Sequence, residues 1–170
     1  SFRPHQEDIV KSILAGQDSF TIMPTGGGKS LCYQLPAYLM DGLCVVVSPL
    51  ISLMNDQVDA ALGMGLSAAT LNSTSKVEDR QKTLAAIAEK RLNLLYVSPE
   101  RLCLPDFLAY LKTQTISFFA IDEAHCISQW GHDFRPDYLT LGNLAKEFPH
   151  TPLAAFTATA TKRVAEDIVN

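Results

Sequence analysis

Pro24-Thr25-Gly26-Gly27-Gly28-Lys29-Ser30 is a glycine-rich turn that ends in a lysine and a hydroxyl. A β-rich run, Ser19 to Met23, stands before it, and a helix-length segment, Lys29 to Leu39, comes after it. Strand, glycine turn and helix in that order form the setting in which such a loop cradles phosphate. Gly26, Gly27 and Gly28 allow backbone angles that side chains forbid, so neighbouring N–H groups, that of Thr25 included, can converge on an anion. The helix behind them adds the positive end of its dipole. Lys29 then meets the β and γ phosphates, and the Ser30 hydroxyl meets magnesium.

Much further along, Asp122-Glu123-Ala124-His125 directly succeeds the apolar run Phe118-Phe119-Ala120-Ile121. Two adjacent carboxylates at the end of a buried strand lie where open α/β sheets bind ligands. Asp122 is nearer the strand register and would hold the metal through its water shell, and Glu123 would polarise the attacking water. Together with the glycine loop, the pair describes a site for ATP and Mg2+. An acidic surface turn is the plain alternative for Asp122 and Glu123. A small-molecule kinase would account for the glycine loop alone but not for the carboxylates. The dinucleotide pattern Gly-x-Gly-x-x-Gly does not fit, because no glycine stands at its third glycine position and lysine and serine follow the loop instead.

The rest of the chain alternates in the same way. Strands are expected at Ser19 to Met23, Leu43 to Ser48, Ala68 to Leu71, Asn93 to Ser98, Phe118 to Ile121 and Leu153 to Phe156. Several are apolar on successive residues, as in Cys44-Val45-Val46-Val47, which suits strands covered on both faces. Helices are expected at Lys29 to Leu39, Leu50 to Leu62, Lys76 to Lys90, Pro99 to Leu111 and Pro136 to Phe148. Alternation of this kind predicts an α/β fold, a doubly wound, mostly parallel sheet with helices on both faces.

With 170 residues the chain is one domain by length, and 47% hydrophobic with 19% charged residues is a globular composition. No apolar run approaches the ~20 residues of a membrane span, and the amino-terminal residues lack the pattern of a signal peptide, so no membrane partner is expected. Cys32, Cys44, Cys103 and Cys126 form no Cys-x-x-Cys pair and read as apolar packers in a reducing, intracellular setting. A net charge of −4 weighs mildly against a dedicated nucleic-acid module, so any such role rests on a local patch.

One such patch lies just past the carboxylates. His125-Cys126-Ile127-Ser128-Gln129-Trp130-Gly131-His132-Asp133-Phe134-Arg135-Pro136-Asp137-Tyr138 interleaves rings with cations. Gly131 and Pro136 speak against one continuous helix through it. Exposed rings of this sort stack bases, at roughly 1–3 kcal/mol each. The alternative is an aromatic mini-core that pins a long loop.

This stretch, running on from Asp122-Glu123-Ala124-His125, resembles the RecQ family of DNA helicases in superfamily 2. Other segments agree in order along the chain. Phe2-Arg3-Pro4-His5-Gln6 resembles the adenine-reading motif, Val47-Ser48-Pro49-Leu50-Ile51-Ser52-Leu53-Met54-Asn55-Asp56-Gln57 resembles motif Ia, Tyr96-Val97-Ser98-Pro99-Glu100-Arg101-Leu102 resembles motif Ib, and Phe156-Thr157-Ala158-Thr159-Ala160-Thr161 resembles motif III. Met23 stands where the general phosphate-loop pattern has its first glycine, a position that many helicase-type ATPases relax. The resemblance implies a RecA-like P-loop domain. It implies that Arg3 stacks on adenine, that Gln6 bonds the adenine edge, and that His125 links the γ-phosphate site to motif III, where Thr157 and Thr159 tie hydrolysis to strand movement. Trp130, Phe134 and Arg135 would sense single-stranded DNA and couple it to hydrolysis.

The resemblance also sets an expectation about extent. Residues 1–170 read as the first of two RecA-like lobes, without the second lobe and the C-terminal regions. The second lobe supplies transition-state arginines, worth roughly 10³–10⁵ in rate, so the isolated lobe is expected to lack full activity. The parent would unwind duplex DNA 3′ to 5′ in repair or recombination, in the cytoplasm of a bacterium or the nucleus of a eukaryote. A nucleotide-binding adaptor without motor activity, or an RNA helicase of the same superfamily, are the alternatives.

Overall fold

The computed structural model describes residues 6–22, 29–48, 51–72, 76–122 and 144–157. In chain order they form α1 (Gln6–Leu14), β1 (Ser19–Ile22), α2 (Lys29–Leu39), β2 (Leu43–Val47), α3 (Ile51–Gly63), β3 (Ala68–Leu71), α4 (Val77–Ala88), β4 (Leu94–Val97), α5 (Pro99–Leu102), α6 (Pro105–Lys112), β5 (Ile116–Ile121), α7 (Leu144–Glu147) and β6 (Leu153–Thr157). The strands make one sheet in the order β1-β6-β5-β2-β4-β3, with every pairing parallel.

Burial on both faces explains the unbroken apolar runs. Alternate residues of each strand serve opposite layers. Cys44, Val46, Leu94, Tyr96, Phe118, Ala120, Ala154 and Phe156 pack with Ile9 and Ile13 of α1, Cys32, Tyr33 and Ala37 of α2, and Met54 and Ala61 of α3. Their neighbours Val45, Val47, Leu95, Val97, Phe119 and Ile121 face the other way, toward Ile87 of α4, Leu102 of α5, Phe107 and Leu111 of α6, and Leu144 of α7. Phe119 and Phe148 meet edge to face, with ring centroids 4.9 Å apart. A large apolar side chain taken fully out of water contributes about 1.5–3 kcal/mol.

Three departures from the expected elements have local causes. The segment Pro99 to Leu111 is two helices, not one. Leu104 is extended, with φ −63° and ψ 127°, because it precedes Pro105, whose ring disfavours helical angles in the residue before it. α1 has no counterpart among the expected helices, although Val10 and Ile13 bury one side of it. Of the expected helix Pro136 to Phe148, the described part is α7, closed by Phe148 N–H donating to Leu144 O at 2.8 Å, and residues 136–143 lie outside the described residues.

Helix-to-strand turns recur in one form. Gly65, at φ +87°, donates its N–H to Leu62 O while Leu66 donates to Ala61 O, a left-handed cap that closes α3. α4 ends in the same pair of bonds, Lys90 N–H to Ile87 O and Arg91 N–H to Ala86 O, with Lys90 at φ 59°.

Candidate nucleotide site

In a wholly parallel sheet all the carboxyl ends lie along one edge, and ligands bind there. That edge is polar although it is buried. Ser48 follows β2, Asn72 follows β3, Ser98 follows β4, Asp122 follows β5, and Thr157 closes β6. Polar groups taken from water carry a cost that sheet packing does not require, and such groups at one edge mark a site.

Asp122 and Thr157 stand closest, among these, to the end of β1. Strand β6 lies between β1 and β5, with Ile22 paired to Thr157 and Ile121 to Ala155. Asp122 is therefore level with Phe156, one step short of Thr157. Its backbone N–H donates to Val47 O at 2.9 Å, which fixes it at the end of the ladder, and it is 4% exposed. The end of β1 is two strand spacings from β5, about 10 Å. Shortly beyond Ile22, α2 opens at Lys29 and Ser30. The first turn of that helix and Asp122 thus belong to the same edge of the sheet.

The structure does not bring every expected site residue into view. Lys29 and Ser30 are described as helix backbone only, and so is Gln6, the first residue of α1. Arg3, Thr25, Gly26, Gly27, Gly28, Glu123, His125, Trp130, Phe134, Arg135 and Thr159 lie outside the described residues. No group of three or more His, Cys, Asp or Glu gathers among the described residues. Cys32 and Cys44 are buried, and burial lifts the Cys32 thiol to about 11 and the Cys44 thiol well above its ordinary value, so both are packing groups rather than thiolates.

Sequence reasoning missed a polar pair beneath this edge. Tyr33 of α2 and Tyr96 of β4 are fully buried, and their hydroxyls share a hydrogen bond of 3.1 Å. Gln34, also buried, bonds to Tyr96 as well. Burial chiefly raises the Tyr96 phenol, the bonds from Tyr33 and Gln34 oppose that, and the proximity of Cys44 and of the Asp122 carboxylate raises it again. Tyr96 therefore stays a neutral hydroxyl within electrostatic reach of Asp122. The one signal for it is Tyr33-Gln34, two polar groups set between Leu31-Cys32 and Leu35-Pro36-Ala37 in α2.

Residues 3–168 match the family described as DEAD/DEAH box helicase. The chain is 54% identical to the probable ATP-dependent DNA helicase RecS of Bacillus subtilis, across 100% of this chain and 34% of that protein. It is 51% identical to the ATP-dependent DNA helicase RecQ of Pasteurella multocida, across 99% of this chain and 27% of that protein. The chain thus spans about a third or less of the length of these relatives. Among solved structures, the helicase Lhr of Mycobacterium smegmatis, bound to single-stranded DNA and AMP-PNP, superposes with a TM-score of 0.71 at 19% identity, covering 99% of this chain and 24% of that one. The helicase domain of Pyrococcus furiosus Hef gives 0.70 at 19%, covering 99% and 35%. At that identity the likeness concerns the fold.

Proposed function

The chain belongs to the DEAD/DEAH box helicase family, and we propose that it is the ATP-hydrolysing motor lobe of a RecQ-type DNA helicase, which unwinds DNA 3′ to 5′ in repair and recombination. The observation that carries this reading is the shared edge, where the opening of α2 and the buried Asp122 flank β6. About half of the residues are identical to proteins named RecS and RecQ, which favours DNA over RNA as the substrate.

In this reading the N–H groups around Thr25, Gly26, Gly27 and Gly28 cradle the phosphates, and the Lys29 ammonium offsets their charge. Arg3 and Gln6 hold the adenine. Ser30 and Asp122 offer hard oxygen donors, and a buried carboxylate beside a hydroxyl suits Mg2+, which takes one or two protein oxygens and keeps waters for the rest. Magnesium, when bound, neutralises charge on the transferred phosphoryl group. Glu123 orients the attacking water, and His125 relays the state of the γ-phosphate toward Thr157 and Thr159. Trp130, Phe134 and Arg135 report single-stranded DNA to that centre. A second RecA-like lobe completes the site with transition-state arginines.

The test is ATP turnover by the polypeptide that carries both lobes, with single-stranded DNA, with RNA and with neither. Turnover stimulated by DNA and abolished in Lys29→Ala supports the reading. Equal stimulation by RNA, or none by DNA, overturns it. Trp130→Ala should lower the stimulated rate far more than the unstimulated one, and unchanged stimulation there would make the ring-bearing loop a mini-core instead.

A further inference from the structure

The helix that opens at Lys29 is fastened to two strands by one side chain. Tyr33, one turn into α2, sets its ring edge-on to Phe156 of β6 at 6.0 Å and to Tyr96 of β4 at 6.3 Å. Only the second contact has a polar lock, the 3.1 Å hydroxyl pair. β4 is not next to β6, because β5 and β2 lie between them. A displacement of the first turn of α2 therefore reaches β4 directly, without passing through the intervening backbone ladders.

The turn beyond β4 is poised to respond. Ser98 is the residue before α5 and its side chain makes no capping bond, and its buried hydroxyl has no hydrogen-bond partner among the described residues. Three residues on, the Arg101 Nε is also buried without a partner, while its guanidinium lies over the Phe107 ring at 5.8 Å. Buried groups left unmet are rare because each carries a desolvation cost. A turn with two of them has hydrogen bonds to gain by rearranging.

We propose that Tyr33 and Tyr96 are positioning residues whose hydroxyl pair transmits occupancy of the nucleotide loop to the segment that runs from Ser98 through α5 to Leu104. The inference rests on the nucleotide-binding reading and adds its route. Phosphate drawn against the first turn of α2 shifts Tyr33, Tyr96 moves with it through their hydrogen bond, and the Ser98 and Arg101 groups find partners in the shifted segment. Because the coupling runs through one neutral hydrogen bond, its loss should reduce the response by about three- to tenfold.

Amide hydrogen exchange in residues 98–104, with and without a non-hydrolysable ATP analogue, tests this in the two-lobe polypeptide. The analogue's affinity is measured in parallel by fluorescence. Wild type should gain protection in that segment on binding. Tyr33→Phe and Tyr96→Phe keep the rings and their packing, and each should lose most of that gain while still binding the analogue. The double variant should be no worse than either single one, since the bond is already broken. Tyr110→Phe is the control. It deletes a hydroxyl that bonds Leu84 O at 3.3 Å, on the opposite layer, and should leave the response intact. A segment that binding leaves unmoved, or that responds equally in the Tyr33 and Tyr96 variants, overturns the proposal while the nucleotide reading stands. Loss of the response in Tyr110→Phe as well would also overturn it, as a general softening. Failure of wild type to bind the analogue removes both.

Discussion

The two ends of the sheet handle polar groups differently. At the amino ends, several backbone and side-chain groups satisfy one another at short range, while the Ser19 and Ser117 hydroxyls are buried without a partner among the described residues. Asn93 Oδ1 accepts from Ser67 N–H at 3.0 Å and from the Ser67 hydroxyl at 2.9 Å, and that hydroxyl accepts in turn from Asn93 N–H. Asp18 accepts from Leu153 N–H at 2.9 Å, which pins the start of β6. At the carboxyl ends, Ser48, Asn72, Ser98, Asp122 and Thr157 are buried together along one edge, and the Ser98 hydroxyl is left unmet. The amino ends are tied across by these bonds, and the carboxyl ends gather more buried polar groups, a carboxylate among them, at an energetic cost. The contrast is sharp enough to break by mutation.

The largest separation is expected from Asp122→Asn. The shape is nearly kept and one charge is lost, so the fold should persist while ATP turnover in the two-lobe polypeptide falls on the order of 10²–10³, the effect of removing one charge-stabilising group. Turnover and circular dichroism measured together decide it. If both fall in step, Asp122 is a structural group and the two ends are not different in kind.

Gly42→Ala should do the reverse. Gly42 sits at φ +106°, and a Cβ there would meet the Thr115 carbonyl oxygen at 2.7 Å. The same approach lets Leu43 N–H donate to Thr115 O at 2.9 Å, so the backbone cannot retreat without breaking the start of β2. A strained angle and a clash against main chain together should cost about 2–3 kcal/mol, or roughly 5–10 °C in melting temperature for a domain of this size. Turnover per folded molecule should stay near wild type, because the substitution is at the far end of the sheet. A melting temperature within a degree of wild type would show that the β2 start has slack.

The same contrast marks how far the sequence could be read. The alternation of apolar runs with helix-length segments reflects burial on both faces, and it carried all six strands and the doubly wound class, since a run such as Cys44-Val45-Val46-Val47 suits a strand covered on both sides. The place of Asp122 at the carboxyl edge was readable because a carboxylate directly after the apolar run Phe118-Phe119-Ala120-Ile121 falls at a strand end, whereas the glycine loop and Glu123 lie outside the described residues. Strand order was not readable, because β1 beside β6 is a pairing between distant parts of the chain that no local pattern encodes. The break at Leu104 was hidden for a different reason. Pro105 disfavours helical angles at Leu104, but a proline does not always end a helix, as Pro36 inside α2 shows, so the local signal was ambiguous. The Tyr33–Tyr96 pair was invisible because each tyrosine alone passes for an aromatic core residue, and only the fold brings positions so distant in sequence within 3.1 Å.

The smallest effect, and the only stabilising one, belongs to Lys90. Its φ of 59° is the left-handed conformation, which crowds an L side chain's Cβ against the next carbonyl at about 1–2 kcal/mol. The cap needs that angle: Lys90 N–H to Ile87 O and Arg91 N–H to Ala86 O close α4 as Gly65 N–H to Leu62 O and Leu66 N–H to Ala61 O close α3. Lys90→Gly keeps both bonds and removes the crowding, and the greater freedom of glycine in the unfolded chain offsets roughly 0.5–1 kcal/mol of the gain. A net rise of about 0.5–1 kcal/mol, seen as a melting temperature up by roughly 1–4 °C, is expected, with no change in turnover. A fall instead would mean that the Lys90 side chain contributes more at the amino end than its backbone strain costs.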